Sequence, residues 1–553
     1  MTPPVSPYAA RPWLARYDPG IPADTEPPAD LLTSFRAAVE SAPDRRAVAY
    51  FDSGLSYADL DRLSSGLAAY LRGHGFTCGD RLAVYLQNIP QYVVAVLATW
   101  KAGGIVVPVN PMYRETELAN LLVDSGAAAL VCLEPSWHAV AAKAVASSAV
   151  HTVLTTSALD LQTRDDPRVF EGVTRQPADG VPDLLAVARE TDPSTLEPFT
   201  PRPDDAALLS YTSGTSGVPK GATNTHGNIA FNAEGTKLWN RFPDGAVIFG
   251  MAPLFHITGM VCHLASALRI GGTLALAYRF EPGVVLDALR EHRPYYTVGP
   301  TTAYLALMNH PDASPEHWAS LEQVYSGGAP LPPAVVEMFQ SRFGHHIHNG
   351  YGLTETSAPC IVEPPDTLAP VDPASGTLAI GVPVIGTLAR IVGDDGAELP
   401  VGETGEIQVK GPMVVPGYWG RPNDTAAALH DGWLSTGDVG FMDAAGWFYV
   451  VDRKKDMINA SGFKVWPREV EDVLYTHEAV REAAVVGVPD SYRGETVKAY
   501  VSTRAGVAVE PADLVAYCRE RLAAYKCPRQ VEILPELPKT VSGKILRREL
   551  RGR

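Results

Sequence analysis

The sequence predicts an α/β protein: a large N-terminal domain of parallel-sheet subdomains plus a β-rich subdomain, followed by a small α+β C-terminal domain. Strand-like apolar blocks alternate with helix-like segments through residues 46–131 and again through 246–324. Such alternation is typical of parallel sheets with crossover helices. Short segments of alternating polarity occupy 378–451 and predict an antiparallel region. The chain has 553 residues, which exceeds one hydrophobic core, so two or three domains are expected.

The first α/β block has clear element boundaries. Strand-like Arg81–Leu86 and Ile105–Pro108 flank helix-like Gln91–Ala102. The section Thr155–Asp205 has little periodicity and many Pro, Asp and Thr residues, so we expect a surface excursion rather than core. The apolar run Gly259–Leu276 is interrupted by a histidine, an arginine and two glycines, which predicts a buried helix, a turn and a strand rather than a membrane span.

The charge-rich stretch Asp452–Asp456 separates the β-rich region from a unit with its own pattern. A unit of about a hundred residues is large enough for an independent small domain. In order, its predicted elements are a hairpin over Met457–Val465, a helix opened by Pro467, strands over Ala483–Val488 and Val497–Ser502, a helix over Pro511–Leu522 and a strand over Val531–Leu534.

The composition is that of a soluble globular protein, with 46% hydrophobic and 20% charged residues. The net charge of −16 disfavours nucleic acid and anionic membranes as partners. Residues 1–17 lack the apolar core of a signal peptide. The six cysteines show no Cys-x-x-Cys spacing, which indicates reduced thiols rather than disulfides or a zinc site. We therefore expect a cytoplasmic protein with no integral membrane segment and no nucleic-acid partner.

The loop at residues 211–221 is the most informative stretch, because it combines alternating hydroxyls and glycines with Lys220. Glycines allow close approach of an anion, hydroxyls donate to phosphate oxygens, and lysine adds positive charge. The apolar run Ala206–Tyr211 predicts a buried strand ending at the loop, where ligands bind in open α/β sheets. The spacing fails the G-x-x-x-x-G-K-[ST] pattern, so the cradle differs from a P-loop. The alternative is a polar surface loop.

Four further motifs follow in order: Tyr351–Thr356, Ser435–Asp438, Asp452–Asp456 and Pro538–Ile545. With the loop, they resemble the adenylate-forming superfamily, which comprises acyl-CoA synthetases, luciferases and the adenylation domains of peptide synthetases. The resemblance covers nearly the whole chain. It implies that a carboxylate attacks the α-phosphate of ATP to form an acyl-AMP, with Mg²⁺ present, and that CoA then takes the acyl group.

The resemblance assigns one group of residues to the phosphates of ATP. Thr354 offers a hydroxyl to the α-phosphate, and Glu355 is a hard oxygen ligand for Mg²⁺. On its own, Thr354-Glu355 is equally typical of a helix N-terminus. The phosphate loop comprises Thr212, Ser213, Gly214, Thr215, Ser216, Gly217 and Lys220.

The resemblance assigns a second group of residues to the adenine and ribose of ATP. Tyr351, between Gly350 and Gly352, presents a ring suited to stacking on adenine, and Gly328, Ala329 and Pro330 resemble the strip along the base's other side. A core tyrosine is the plain alternative for Tyr351. Asp438 can accept hydrogen bonds from both ribose hydroxyls. The alternative is that it is an aspartate of an ordinary turn. The resemblance places Arg453 at the ribose as well.

Lys544 matches the lysine that bridges the substrate carboxylate and the α-phosphate. The resemblance implies that the C-terminal domain is mobile and rotates after adenylation, removing this lysine and admitting CoA. The implied units are residues 1–452, a hinge at 453–455 and residues 456–553. The hinge position is Lys455, and the implied CoA channel residues are Ser461, Gly462 and Phe463.

The acyl pocket is expected near Leu254–Met260 and Val298–Thr302. These segments contain no lysine, arginine or acid, which favours a neutral apolar acid over an amino acid. A buried core histidine is the alternative for His256. The candidate substrate residues are His256, Ile257, Met260, Val298, Gly299 and Thr301.

The chain most resembles bacterial medium- and long-chain fatty-acid–CoA ligases, through Trp13–Tyr17, Val109–Tyr113, Ser461–Pro467 and Tyr525–Pro528. Trp466, often tyrosine in that group, is a departure. Aryl or branched carboxylic acid CoA ligases share most of these residues and remain an alternative. The same motifs would also suit an acyl-AMP ligase that loads a carrier protein without CoA, or a non-catalytic nucleotide-binding protein. A homodimer is compatible with the fold.

Overall fold

The protein is described as a computed structural model over residues 6–28, 30–212, 219–453, 456–460, 463–490, 494–540 and 543–551. Within these ranges the strands form sheets of nine, six, five and five strands. None of the helices in these ranges is long and apolar enough to cross a membrane.

The strands of the two large sheets come first along the chain. They are β1 Arg46–Tyr50, β2 Ser53–Ser56, β3 Arg81–Tyr85, β4 Ile105–Pro108, β5 Ala129–Leu133, β6 Thr152–Thr156, β7 Ala206–Thr212, β8 Lys220–Thr225, β9 Val247–Phe249, β10 Thr273–Leu276, β11 Tyr296–Gly299, β12 Gln323–Gly327, β13 His348–Leu353, β14 Ala358–Val362 and β15 Val382–Pro383. The strands of the two smaller sheets follow. They are β16 Leu388–Val392, β17 Gly405–Lys410, β18 Leu429–His430, β19 Trp433–Met442, β20 Phe448–Arg453, β21 Ile458–Ala460, β22 Phe463–Val465, β23 Val480–Asp490, β24 Gly494–Thr503 and β25 Gln530–Ile533.

The α-helices are α1 Leu31–Ser41, α2 Tyr57–Gly73, α3 Pro90–Lys101, α4 Glu115–Ser125, α5 Glu134–Ser136, α6 Ala142–Ala144, α7 Pro167–Phe170, α8 Leu184–Glu190, α9 His226–Trp239, α10 Ser266–Arg269, α11 Pro282–His292, α12 Thr301–Asn309, α13 Pro333–Phe343, α14 Pro422–Ala428, α15 Pro467–Tyr475, α16 Pro511–Arg519 and α17 Arg547–Leu550. Short 3-10 turns occur at Pro12–Arg16, Val145–Ser147, Pro193–Thr195, Pro315–Trp318 and Thr354–Thr356, and π-helical turns at Trp137–Ala141 and Gly259–Ala265.

The two large sheets are mainly parallel, as predicted. The six-stranded sheet has the order β6-β5-β3-β4-β7-β8, and only the β7/β8 hairpin is antiparallel. The nine-stranded sheet has the order β15-β14-β13-β12-β11-β9-β10-β1-β2, with a parallel centre and antiparallel edges. Helix α3 packs against β3 and β4 of one sheet and β1 of the other. Every residue of α3 is buried for this reason, which explains its apolar composition on all sides.

The two five-stranded sheets also agree with the predicted fold class. β16, β17, β18, β19 and β20 pair only in antiparallel fashion, as the alternating segments of 378–451 predict. In the C-terminal sheet, β23 and β24 form a long hairpin and β25 joins β24 in parallel. Helix α15 has Pro467 at its first position, because the missing proline N–H has no partner to lose there.

One expectation about the core is wrong. The section Thr155–Asp205 contributes buried side chains, since Phe170 stacks on Tyr278 with ring centroids 5.2 Å apart. Leu184 and Ala188 of α8 are also buried, and α8 packs against α2. Its apolar residues occur as clusters of two or three, which are too short to produce a detectable helical or strand period.

Candidate active site

The predicted phosphate loop connects the two strands of a hairpin. Thr212 at the end of β7 pairs directly with Lys220 at the start of β8. The Lys220 ammonium forms an ion pair with Asp424 and lies 5.5 Å from the centre of the Tyr418 ring. This arrangement places a positive charge at the base of the loop.

Several predicted residues lie outside the described residues. They are Ser213, Gly214, Thr215, Ser216, Gly217, Lys455, Ser461 and Gly462, together with the side chains of Arg453 and Phe463.

Thr354 and Glu355 lie in a 3-10 turn immediately after β13. Glu355 Oε1 accepts a hydrogen bond of 2.7 Å from the Tyr418 hydroxyl, and the Glu355 carbonyl accepts one of 2.9 Å from the Val415 amide. Asn224 of β8 donates to the Thr354 carbonyl over 3.0 Å. Strand β8 therefore joins the phosphate loop of one sheet to the Thr354-Glu355 turn of the other.

The chain after this turn has an unusual backbone. Ser357 and Ala358 have φ angles of 51° and 87°, in the left-handed region that side chains disfavour. Gly352 pairs with Pro359 across the same bend, and a Cβ atom on it would lie 2.1 Å from the Ala358 carbonyl oxygen. Glycine is therefore required at this position, and the strain is located beside the candidate catalytic turn.

The predicted nucleoside strip is formed by adjacent ends of parallel strands. Gly299 of β11 pairs with Ser326 of β12, and Gly327 pairs with Gly350 of β13. Gly328 follows with a φ of 78° and open space where a side chain would project. Ala329 and Pro330 continue this edge, and the Pro330 carbonyl accepts a 3.0 Å hydrogen bond from Thr301. The carboxyl ends of these strands are where open α/β sheets bind ligands.

Tyr351 and Asp438 are direct partners. The Tyr351 hydroxyl donates to Asp438 Oδ2 over 2.7 Å, and Asp438 is 4% exposed. Burial, and then the charge of Asp438, raise the pKa of Tyr351 well above its ordinary value, so the tyrosine remains a donor. Asp438 also lies opposite Arg453 in the β19/β20 register. The carboxylate and the aromatic ring are thus held together as one unit.

The loop that carries Lys544 contacts α12, next to the predicted acyl residues. Gly543, with a φ of 80°, accepts a 3.1 Å hydrogen bond at its carbonyl from Thr302 of α12. The loop is closed by Thr540, whose amide donates to the Lys544 carbonyl over 2.7 Å and whose hydroxyl accepts from the Lys544 amide. Burial, and then the positive charge of Lys544, lower the pKa of His256 to about 4. The His256 imidazole is therefore neutral at pH 7, with the Lys544 ammonium in its vicinity.

The predicted acyl residues are mostly apolar and buried. Ile257, Met260, Val298 and Thr301 are each at most 5% exposed, whereas His256 is partly exposed. The π-helical turn Gly259–Ala265 packs against β11. A Cβ atom on Gly299 would lie 2.4 Å from the Met251 sulfur, so space is limited at that strand end.

Sequence reasoning missed the residues that position the catalytic candidates. Tyr418 and Asp424 hold Glu355 and Lys220, and Asn224 holds Thr354. Tyr418 lies outside every motif, about 60 residues beyond Glu355, and nothing in its local sequence distinguishes it. Asn224 follows the phosphate loop closely, so its place on β8 was the one available signal.

Comparison with known proteins places this geometry in context. A model of the AMP-binding enzyme family matches residues 35–419, and a model of the AMP-binding enzyme C-terminal domain matches 469–544. A long-chain-fatty-acid–CoA ligase of Bacillus subtilis is 38% identical over 98% of this chain and 97% of its own length. A feruloyl-CoA synthase of an Amycolatopsis species is 38% identical over 93% of this chain and 96% of its own length. The ATP-bound structure of MatB from Rhodopseudomonas palustris superposes with a TM-score of 0.82 at 29% identity, covering 95% of this chain and 98% of MatB.

Proposed function

Since this chain belongs to the family of AMP-binding enzymes, we propose that it joins a fatty acid to CoA through an acyl-adenylate. It is an acid–thiol ligase that consumes ATP. In the first step, a carboxylate oxygen attacks the α-phosphorus and pyrophosphate leaves. In the second, the CoA thiolate attacks the acyl carbon and AMP leaves with the former carboxylate oxygen.

One observation supports the proposed site most strongly. The Lys544 loop from the C-terminal part of the chain is hydrogen-bonded to Thr302, and the Lys544 charge acts on His256. Lys544 is therefore close to the residues proposed to surround the acid. We assign Lys544 the stabilisation of charge that develops as the carboxylate meets the α-phosphate. Thr354 is proposed to donate to the same phosphate.

The residues present fit a Mg²⁺ ion on the phosphate side. Glu355 is partly exposed, and one of its carboxylate oxygens is oriented by Tyr418. Carboxylate and phosphate oxygens are the ligands that Mg²⁺ prefers. We propose Glu355 as the protein ligand, where the ion neutralises phosphate charge. Lys220 and the Thr212 hydroxyl serve the β- and γ-phosphates with the rest of the loop.

The Tyr351–Asp438 pair is proposed to bind the adenine and ribose of ATP. The Tyr351 ring is proposed to stack on adenine, with Gly328, Ala329 and Pro330 along the other face. Asp438 accepts hydrogen bonds from the ribose hydroxyls. Arg453 lies opposite Asp438 in the β19/β20 register and is proposed to contact the ribose as well.

Removal of the Asp438 carboxylate is predicted to weaken ATP binding. Asp438→Asn keeps an acceptor for the Tyr351 hydroxyl but removes the charge, so the KM for ATP should rise about 10–100-fold, because a hydrogen bond to a charged group contributes about 1.5–3 kcal/mol. The measurement is pyrophosphate exchange at varied ATP. Tyr351→Phe is the comparison variant, since it removes the Tyr351–Asp438 hydrogen bond, which Asp438→Asn keeps, and leaves the ring and the carboxylate in place. An unchanged ATP KM in Asp438→Asn removes this residue from the ribose site.

The acid is proposed to be a fatty acid. The pocket segments contain no charged side chain, and the Bacillus relative is named as a long-chain-fatty-acid–CoA ligase. The feruloyl-CoA synthase has the same 38% sequence identity to this chain as the Bacillus relative, so an aryl acid is the second candidate. A panel of acids from acetate to palmitate with benzoate, cinnamate and ferulate tests the choice through thioester formation. A peak in kcat/KM among the aliphatic acids supports the proposal, and a peak among the aryl acids overturns it.

His256 is predicted to separate the acid from the nucleotide. His256→Ala should lower kcat/KM for the preferred acid by roughly 10-fold or more and favour bulkier acids, because pocket contacts of this size are worth about 1–3 kcal/mol. The same acid panel measures the change, with exposed His430→Ala as the control. If selectivity and rate are both unchanged in His256→Ala, the pocket lies elsewhere.

CoA is the proposed acceptor rather than a carrier protein. We propose that residues 456–553 rotate about a hinge at 453–455, including Lys455, and that Ser461, Gly462 and Phe463 then contact the pantetheine arm. Residues 456–553 have their own sheet and apolar cluster, which supports a separate unit. A cytoplasmic location, where ATP and CoA are available, and a homodimer complete the proposal.

A further inference from the structure

A histidine-rich segment lies at the opposite end of β13 from the catalytic turn. Helix α13 ends at Phe343 and is followed by Gly344, which has a φ of 75°. The chain then runs through His345, His346 and His348 into β13. Strands β13 and β14 are antiparallel, with Gly350 opposite Val362. The residue after β14, Glu363, is therefore beside the residues that precede Gly350.

His346, His348 and Glu363 converge at this point. Each offers a nitrogen or oxygen atom, and the three atoms lie within 4.8 Å of one another. His346 Nε2 is 2.8 Å from Glu363 Oε1, and His348 Nδ1 is 3.5 Å from the same oxygen. The described residues contain no other group of this kind.

The carboxylate of Glu363 is buried and held in place by backbone amides. Its side chain is fully buried, and its two oxygens accept 2.9 Å hydrogen bonds from the amides of Asn349 and Ala369. A buried carboxylate is stable only with hydrogen-bond donors or a counter-charge around it, and His346 Nε2 at 2.8 Å supplies one such contact.

The imidazole of His348 does not complete this requirement. Its side chain is only 7% exposed, and Nδ1 has no hydrogen-bond partner among the described residues although it points toward the carboxylate. If His348 Nδ1 carries no proton, its lone pair repels the carboxylate oxygen. As an N–H, it is too far from that oxygen for a good hydrogen bond. A cation between His348 Nδ1 and Glu363 Oε1 is attracted by both atoms, so it removes the repulsion and gives the nitrogen a partner.

We propose that His346, His348 and Glu363 bind a divalent cation, and that Zn²⁺ fits best. Imidazole and carboxylate are established zinc ligands, with bond lengths of about 2.0–2.2 Å. Two ligands on a tetrahedral ion with such bonds are about 3.3 Å apart. The 3.5 Å separation of His348 and Glu363 is close to this value, and the 2.8 Å separation of His346 and Glu363 has to widen by about 0.5 Å. The two histidine nitrogens, which lie within 4.8 Å of each other, have to draw together when the ion binds. Because the His346 side chain is 16% exposed, water can supply the remaining ligand.

The ion links three parts of the chain that converge on the nucleotide strand. It joins the segment after α13, the first residue of β13 and the end of β14. Glu355 lies beyond the far end of β13, so this site is separate from the proposed Mg²⁺ position. Zinc at this point stabilises the start of the strand that carries Tyr351.

Zinc stoichiometry in the full-length protein without a histidine tag tests the proposal. The protein is stripped with a chelator, incubated with ZnCl₂ in the presence of excess Mg²⁺ and desalted, and bound zinc is measured by mass spectrometry. Cys78→Ser serves as the background, because Cys78 is the exposed thiol among the cysteines. We expect one zinc per chain in this background and in His345→Asn, and a loss of at least 10-fold in affinity in His346→Asn.

A second readout separates metal binding from a structural role. Zinc should raise the Tm of the background protein and of His345→Asn, but not that of His346→Asn or Glu363→Gln. Absence of bound zinc in the background overturns the proposal without reference to any variant, and so does equal zinc binding by His346→Asn. If His346→Asn fails to fold, Co²⁺ added to the background protein decides: a tetrahedral visible absorption band supports the site, and its absence overturns it.

Discussion

Replacing Lys544 with alanine is expected to slow acyl-adenylate formation by on the order of 10²–10³-fold, the loss typical of one electrostatic group aimed at developing charge. Lys544 lies in a loop hydrogen-bonded to Thr302, and burial together with the charge of Lys544 lowers the pKa of His256. Its effect should therefore be specific to the step in which the carboxylate meets the α-phosphate. Conversion of preformed acyl-AMP and CoA to thioester should retain its rate. Pyrophosphate exchange measures the first step, and thioester formation from synthetic acyl-AMP measures the second.

The control for this variant is Arg548→Ala, which removes an exposed positive charge from the same part of the chain. It should leave both half-reactions unchanged. Lys544→Arg is also informative, because a planar guanidinium keeps the charge but not the compact geometry of an ammonium. Equal losses in both half-reactions of Lys544→Ala contradict the assigned role.

The second large effect is expected for Glu355→Gln. The amide oxygen can still accept from the Tyr418 hydroxyl, which lies 2.7 Å from Glu355 Oε1, while the negative charge is removed. We expect the Mg²⁺ concentration required for half-maximal pyrophosphate exchange to rise on the order of 100-fold, because the loss of even an outer partner of a metal ligand costs about 10–100-fold in metal affinity. The measurement is a Mg²⁺ titration at saturating ATP and acid.

Glu403→Gln is the matched control, since Glu403 is exposed on the β-rich region. It should show the Mg²⁺ dependence of the parent protein. A Glu355→Gln variant that loses activity at every Mg²⁺ concentration, with an unchanged midpoint, assigns Glu355 to another role.

The parts of the fold that could be predicted were those with a clear period. Strands β3 and β4 and the helix between them were predicted to within one residue at each end, because two sheets bury α3 on all sides and leave a continuous apolar run. Segment Thr155–Asp205 was mispredicted because Phe170 and the α8 residues pack as isolated clusters. The order of strands within the sheets depends on distant pairings, which local sequence does not encode.

The candidate site divides in the same way. Candidate residues such as Asp438 and Lys544 could be proposed from the sequence because they belong to ordered motifs with a specific resemblance. Their partners could not, since the contacts of Tyr418 with Glu355 and of Thr302 with Gly543 join residues far apart in sequence. The buried His346–Glu363 contact is a further example, visible only after β13 and β14 are paired.

We propose that the acid is activated by attack of its own oxygen on the α-phosphate of ATP. The most direct test uses a fatty acid with ¹⁸O in both carboxyl oxygens, followed by mass analysis of AMP, pyrophosphate and thioester after one turnover with ATP and CoA. We expect one ¹⁸O in AMP, one in the thioester carbonyl and none in pyrophosphate. Absence of label from AMP, or its appearance in phosphate or pyrophosphate, contradicts an acyl-adenylate.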